Sequence, residues 1–221
     1  MVLLSGGLDS ATTLYYALSR DLSVYTLSFD YGQRHSVELE SARKIAAEAG
    51  VPHTILTLDT QIFQQSALTD VSIDIPQDRD ESAMSSSIPV TYVPGRNILF
   101  LSFGLSYCES RNLDSIFIGA NAVDYSGYPD CRPQFIEAFQ QMANIGTRAG
   151  DEGHPIKIEA PLINMTKAEI ISMGIKLGVD YSLTSSCYQP SSSGKPCGRC
   201  DSCLLRAQGF AAAGVPDPLT A

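Results

Sequence analysis

Apolar and polar positions along the chain alternate between short solid runs and longer amphipathic stretches. Val2-Leu3-Leu4 breaks at Ser5-Gly6-Gly7, and the stretch from Ala11 to Ser19 then reads as a helix. A β-branched and aromatic run, Leu22 to Phe29, resumes the strand pattern before Asp30-Tyr31-Gly32-Gln33 turns the chain. A charged amphipathic helix from about Ser36 to Ala49 closes at Gly50, and a third strand is expected at about Thr54 to Leu58. Two strand-helix-strand crossovers in succession predict a parallel sheet. Thr69 to Ser87 is rich in Asp, Ser and Gln and lacks periodicity, so a poorly ordered lid or insertion is expected there. Pro94-Gly95-Arg96-Asn97 starts a helix to about Ser110, and Ser115 to Ile118 reads as a strand ending at Gly119-Ala120-Asn121. Arg132 to Asn144 is helical in pattern, and Ile156 to Glu159 is a short strand. Thr166-Lys167-Ala168-Glu169 has the spacing of a capping box opening a helix to Leu177, and an Ala-rich helix ends the chain.

The prediction is an α/β fold, a Rossmann-like parallel sheet with helices on both faces, carrying a small C-terminal cysteine segment. Residues 1–185 form the main domain, and residues 186–221 belong to the same folding unit.

The chain has 221 residues, enough for one self-sufficient core. Its 15 Lys plus Arg against 24 Asp plus Glu leave a net charge of -9. Bulk attraction to a phosphate backbone is thereby excluded as a driving force, so a small-molecule substrate is expected rather than nucleic acid. No window approaches the roughly 18 apolar residues of a spanning helix, and Met1 leads into the first strand without a charged leader. A cytoplasmic protein without membrane contact is the expectation.

Ser5-Gly6-Gly7-Leu8-Asp9-Ser10 sits between a strand and a helix, where glycines let backbone N–H groups approach an anion at the positive helix end. It matches neither the Walker pattern nor the dinucleotide fingerprint. The bland alternative is a glycine turn in which Asp9 and Ser10 only cap the helix. Cys187, Cys197, Cys200 and Cys203 lie within 17 positions, and the two Cys-x2-Cys steps let their sulfurs converge on one ion. Tetrahedral Zn2+ suits that set, in a structural role because four thiolates leave no open position. An iron–sulfur cluster and free redox thiols are the other chemistries such a set supports. Cys108, in an apolar helix, reads as core, and Cys131 is ambiguous.

The hexapeptide resembles the pyrophosphate loop of N-type ATP pyrophosphatases, which implies an adenine nucleotide alpha hydrolase-like fold. The chain as a whole resembles the 7-cyano-7-deazaguanine synthase family, through that loop, Phe29-Asp30-Tyr31-Gly32-Gln33-Arg34-His35, Tyr92-Val93-Pro94-Gly95-Arg96-Asn97, Asn121 to Arg132, Pro161-Leu162 with Lys167 and Glu169, and Ser186-Cys187-Tyr188 with the later cysteines. Only four residues precede Ser5, so the first strand is shorter than the resemblance leads one to expect.

The resemblance implies conversion of 7-carboxy-7-deazaguanine, ammonia and ATP to the nitrile through adenylated carboxylate and amide, releasing AMP and pyrophosphate. It assigns Ser5, Gly6, Gly7, Asp9 and Ser10 to pyrophosphate and Mg2+, with Leu4, Leu8, Ala11 and Gly119 beside the nucleotide and Leu27 and Phe29 flanking adenine. It makes Asp9, Lys167 and Arg96 the catalytic residues, Asp9 near Mg2+, Lys167 reaching a phosphate and Arg96 a second phosphate or the carboxylate. Lys167 otherwise reads as a solvated helix lysine, and Arg96 as part of a turn whose Asn97 caps the next helix. Asp124 would pair with the guanine-like face, Tyr125 or Tyr128 would stack on the heterocycle, and Arg132 would meet the substrate carboxylate. Arg34 and His35 stand near the site or at a surface helix end; His53 and His154 receive no role. The family implies a homodimer. The competing reading is a tRNA-thiolating or other tRNA-modifying enzyme built on the same loop.

Overall fold

The apolar run at the start of the chain is the middle strand of the sheet. In this computed structural model, which describes residues 1–85, 87–123 and 127–220, β1 (Val2–Leu3) pairs in parallel with β2 (Thr26–Asp30) and β4 (Ser115–Phe117). β3 (His53–Thr57) lies beyond β2 and β5 (Lys157–Glu159) beyond β4, giving the order β3-β2-β1-β4-β5 with every pair parallel. Val2 stands opposite both Thr26 and Phe117, so the shortest strand is held from both sides. Five strands occur among the described residues, close to the predicted positions, with β2 starting four residues later than its apolar run because the first half is an approach loop.

A strand buried on both faces reads as unbroken apolar sequence, and alternation then sends neighbours to opposite cores. Val2 and Leu4 pack into one core with Leu14, Ile170 and Phe210, while Met1 and Leu3 join Leu27, Leu101 and Ile116 in the other. Helices α1 (Leu8–Leu18) and α2 (Val37–Glu48) cover the first face. The short α3 (Glu81–Ser85) precedes α4 (Arg96–Arg111), which covers the second face with α5 (Pro133–Gly146) and α6 (Arg148–Asp151). The chain then returns to the first face in α7 (Lys167–Leu177) and α8 (Asp201–Ala212). The capping box is formed as predicted: the Thr166 N–H donates to Glu169 Oε2 at 2.8 Å and the Glu169 N–H donates to Thr166 Oγ1 at 3.3 Å. That box fixes Lys167 as the first residue of α7.

The stretch expected to be a poorly ordered lid is instead tied down in its described part. The Arg34 guanidinium donates to the carbonyls of Asp70 and Ile73, Arg79 pairs with the buried Asp201, and Gln77 bridges to Cys200. Ile75 is buried against Cys187, Cys200 and Cys203. The segment lacks periodicity because it is irregular backbone, and its order comes from partners remote in sequence. α3 and the side of α8 that carries Asp201 are joined through Arg79, whose guanidinium also donates to the Ala83 carbonyl at 3.3 Å.

Candidate functional site

The glycine loop leaves β1 at its carboxyl end and enters α1 there. Gly6 adopts φ +88°, and a Cβ on it would meet the Glu38 carbonyl oxygen at 2.1 Å and the Ala42 nitrogen at 2.8 Å. Only glycine lets the loop lie against the first turns of α2. The Ser5 hydroxyl donates to Ser10 Oγ at 3.0 Å, and Ser10 Oγ donates to the Gly7 carbonyl at 3.0 Å, so the two serines staple the loop shut. Gly7 is the residue capping α1 and offers no side-chain acceptor to the first-turn amides. Among the described residues the N–H groups of Leu8, Asp9 and Ser10 have no hydrogen-bond acceptor, the arrangement that receives an anion.

Asp9 is held by a residue 158 positions away: Lys167 Nζ donates to Asp9 Oδ1 and Oδ2, both at 2.8 Å. The capping box places Lys167 at the start of its helix, and α8 presses on its stem, since a Cβ on Gly209 would come 2.4 Å from Lys167 Cγ. Asn121, just past β4, donates to the carbonyls of Leu162 and Met165 and so fixes the segment that delivers α7. Gly119 permits the same approach from the sheet side, because a Cβ there would stand 3.1 Å from the Asp9 carbonyl.

These elements enclose a cavity of about 310 Å³ outside the carboxyl ends of β1, β2 and β4, where the strand order reverses direction. Such a crevice is where open parallel sheets bind ligands. Of the residues named from sequence, Leu4, Ser5, Gly7, Leu8, Asp9 and Ser10 line it on the loop side. Leu27, Phe29, Arg96, Gly119, Tyr128 and Lys167 line it as well. Gly6, the fully buried Ala11 and Arg132, the residue before α5, are not among the described residues lining the cavity. Asp124 and Tyr125 lie outside the described residues.

Arg96 donates to the Tyr31 hydroxyl at 3.2 Å. Asn97 does not cap α4, whose capping residue is Gly95; its own N–H is received by Asp130 Oδ2 at 3.0 Å, and its amide nitrogen donates to Cys131 Sγ at 3.2 Å. The Phe29 ring stacks on Phe100 with centroids 4.0 Å apart, leaving an aromatic floor rather than two free ring faces. Tyr128 pairs with Thr91 at 2.9 Å between hydroxyl oxygens, and burial raises its pKa.

Sequence reasoning missed several cavity residues. Tyr31, Glu38, Phe100 and Ser186 all line the cavity. Burial pushes the Glu38 carboxyl up to about 7, with the Arg96 charge opposing. Arg34 and His35 line it too, and each keeps one buried ring or guanidinium nitrogen, Nε and Nε2, without a hydrogen-bond partner. Burial, then the Arg34 charge, lowers the His35 pKa. The available signal was Gly6: a glycine forced by close approach implies a backbone pressed on the loop, and that backbone belongs to Glu38.

The four cysteines converge as their spacing predicts. Their sulfurs all lie within 4.8 Å of one another, and Cys197 and Cys203 stand 4.0 Å apart. A tetrahedral ion with metal–sulfur bonds of about 2.3 Å needs sulfurs about 3.8 Å apart, so the set fits a metal after small rotamer changes. Backbone N–H groups of Gln189 and Cys197 donate to Cys187 Sγ at 3.3 and 3.2 Å, which favours thiolate. The cluster touches the cavity, because Cys187 lines it and the Ser185 N–H donates to the Gly6 carbonyl at 2.9 Å.

The family described as queuosine biosynthesis protein QueC matches residues 1–214. A 7-cyano-7-deazaguanine synthase of Desulfatibacillum aliphaticivorans is 57% identical over 220 residues, covering 99% of this chain and 94% of that protein. The enzyme of the same name from Pseudomonas fluorescens strain SBW25 is 56% identical over 219 residues, covering 99% of this chain and 96% of the relative. A solved NMN synthetase from Francisella tularensis overlaps at TM-score 0.47 with 16% identity over 97% of this chain and 76% of that one, too distant to bear on substrate.

Proposed function

This chain belongs to the family of queuosine biosynthesis protein QueC, and we propose that its cavity converts 7-carboxy-7-deazaguanine, ammonia and ATP to 7-cyano-7-deazaguanine, the product that the names of its relatives state for them. The observation that carries the reading is Lys167 paired with Asp9 beside an uncapped glycine loop. A carboxylate resists attack because its carbon is flooded with negative charge and its leaving group would be oxide. Transfer of AMP from ATP to one carboxylate oxygen supplies a good leaving group, and ammonia then displaces AMP to give the amide. A second transfer to the amide oxygen, followed by loss of AMP and the nitrogen-bound protons, leaves the nitrile. No enzyme nucleophile is needed, so the protein contributes positioning and charge neutralisation.

In this reading the Ser5 to Ser10 loop receives the departing pyrophosphate, and Lys167 moves its charge from Asp9 towards the phosphates as they bind. Leu4, Leu8 and Gly119 border the nucleotide, and Leu27 and Phe29 flank adenine. Arg96 neutralises a phosphate or carboxylate oxygen. Tyr128 stacks on the heterocycle, with Asp124, Tyr125 and Arg132 completing substrate recognition. Asp9 would offer Mg2+ a carboxylate. The ion would screen the triphosphate charge. Cys187, Cys197, Cys200 and Cys203 would hold Zn2+, tying residues 186–221 to the main domain as one folding unit. A homodimer is carried by the family resemblance alone; for the expected cytoplasmic location, no described helix is long and apolar enough to cross a membrane. The tRNA-modifying alternative has a net charge of -9 against it.

Purified protein supplied with the carboxylate, ammonium, Mg2+ and ATP is expected to yield the nitrile by mass spectrometry. AMP without nitrile would overturn the substrate, and no nucleotide turnover would overturn the adenylating site.

A further inference from the structure

Asp9 and Glu38 are the acidic residues among the described lining of the cavity, and they are in opposite states of commitment. Both oxygens of Asp9 are taken by Lys167. The Glu38 carboxylate has no hydrogen-bond or ion-pair partner among the described residues. Its position is nevertheless set firmly: it lies in the first turn of α2, and its own carbonyl is the atom that forbids a Cβ on Gly6. The charged and titratable groups that face it are Arg96 from α4 and Tyr31 from the end of β2, and these two bond each other.

The proposed reaction needs acceptors for the protons that leave nitrogen, and among the described acidic residues lining the cavity Glu38 is the one with no hydrogen-bond or ion-pair partner. Starting from ammonium, nitrogen loses two protons on the way to the amide and two more on the way to the nitrile. Resting on that reading, we propose that Glu38 is the catalytic base of both halves, taking one nitrogen-bound proton in each. In the first half ammonium gives a proton to the carboxylate, the freed nitrogen pair attacks the acyl carbon, and the C–O bond breaks with its electrons on AMP. The second proton leaves to water, and Glu38 returns its own to solvent. In the second half, one proton of the adenylated amide nitrogen goes to water and the other to Glu38. The released nitrogen pair completes the triple bond as the C–O bond to AMP breaks.

A carboxyl poised near neutrality is a stronger base than an ordinary glutamate and is still largely ionised at slightly alkaline pH. His35, the other unpartnered base lining the cavity, is pushed the opposite way by burial and the Arg34 charge, so it is the weaker acceptor.

Glu38→Gln keeps the side-chain shape and the backbone carbonyl that packs on Gly6, so the loop should survive it. The test compares wild type, Glu38→Gln and Glu38→Asp in two assays. One is carboxylate-dependent exchange of labelled pyrophosphate into ATP without ammonium, and the other is nitrile formation across pH 6 to about 9.5. In Glu38→Gln, exchange is expected to stay within about threefold of wild type while nitrile formation falls by about 10² to 10⁴. Wild type should gain activity as pH rises through about 7, and Glu38→Gln should lose that limb and follow free ammonia upward instead. Glu38→Asp should recover part of the rate and keep an acid limb. Exchange that falls in parallel with nitrile formation, or a Glu38→Gln enzyme with the wild-type rate and acid limb, overturns the assignment while leaving the reaction intact. A wild-type protein that forms no nitrile overturns the reaction and the assignment together.

Discussion

Lys167 Nζ stands 2.8 Å from each carboxylate oxygen of Asp9, so the start of α7 and the first turn of α1 are locked together at the mouth of the glycine loop. The pair is partly shielded, with the Lys167 side chain 16% and the Asp9 side chain 29% exposed. A charge-assisted bond in such a place orders both groups before nucleotide arrives.

Lys167→Met should therefore reduce carboxylate-dependent pyrophosphate exchange by about 10² to 10³, in line with losing one charge stabiliser at a phosphate. Asp9→Asn should act differently, raising the Mg2+ concentration needed for half-maximal exchange by at least about tenfold. Titrating Mg2+ against exchange rate separates the two variants.

Gly6→Ala places a methyl group 2.1 Å from the Glu38 carbonyl and forces a side chain into φ +88°. The loop must lift from α2, at a cost of about 1 to 3 kcal/mol for the backbone conformation. Pyrophosphate exchange should be lost, and urea unfolding should show a lower midpoint. Gly50→Ala is the control: it also has positive φ, but a Cβ there meets nothing within 4 Å, so exchange should be spared.

Wild-type protein should carry one zinc per chain by elemental analysis. Cys197→Ser or Cys203→Ser should lose it and unfold at a lower temperature, because Ile75 of the irregular segment is packed in one cluster with these cysteines. A chelator should reproduce the loss of stability in wild type and add little in the variants.

Arg206 and Asp217 form a buried pair, with Nε to Oδ2 at 2.7 Å and Nη2 to Oδ1 at 2.8 Å. Burial is the largest single influence and would raise the Asp217 pKa, but the Arg206 hydrogen bonds, the Leu219 N–H and the Arg206 charge together outweigh it and hold the carboxyl below its ordinary value. A carboxyl depressed in the folded state stabilises at pH above its unfolded value, about 4, and that contribution fades as pH falls through the folded value. Asp217→Asn should lose about 3 kcal/mol at pH 7. The gap to wild type in urea unfolding should narrow below about pH 4.

The sequence was most readable where local chemistry decides structure. The Val2 to Leu4 run, the glycine loop and the Thr166 to Glu169 capping box act within a few residues and the four cysteines within 17 positions, and each formed as expected. Partners remote in sequence were not readable. Lys167 looked equally like a solvated helix lysine, and only folding brings it to Asp9. The same holds for residues 69–85, whose order depends on Arg34, Asp201 and the cysteines. Glu38 hid in an amphipathic helix, where an acidic first-turn residue is ordinary, and its chemistry arises from burial beside the loop.

The central claim is that both oxygens of the substrate carboxylate leave on AMP. Wild-type enzyme given the carboxylate labelled with ¹⁸O at both positions, with ammonium, Mg2+ and ATP, provides the direct measurement by mass spectrometry of nitrile and nucleotides together. Two AMP per nitrile are expected, each carrying one ¹⁸O. Unlabelled AMP, or label in inorganic phosphate with ADP as the nucleotide product, would contradict it.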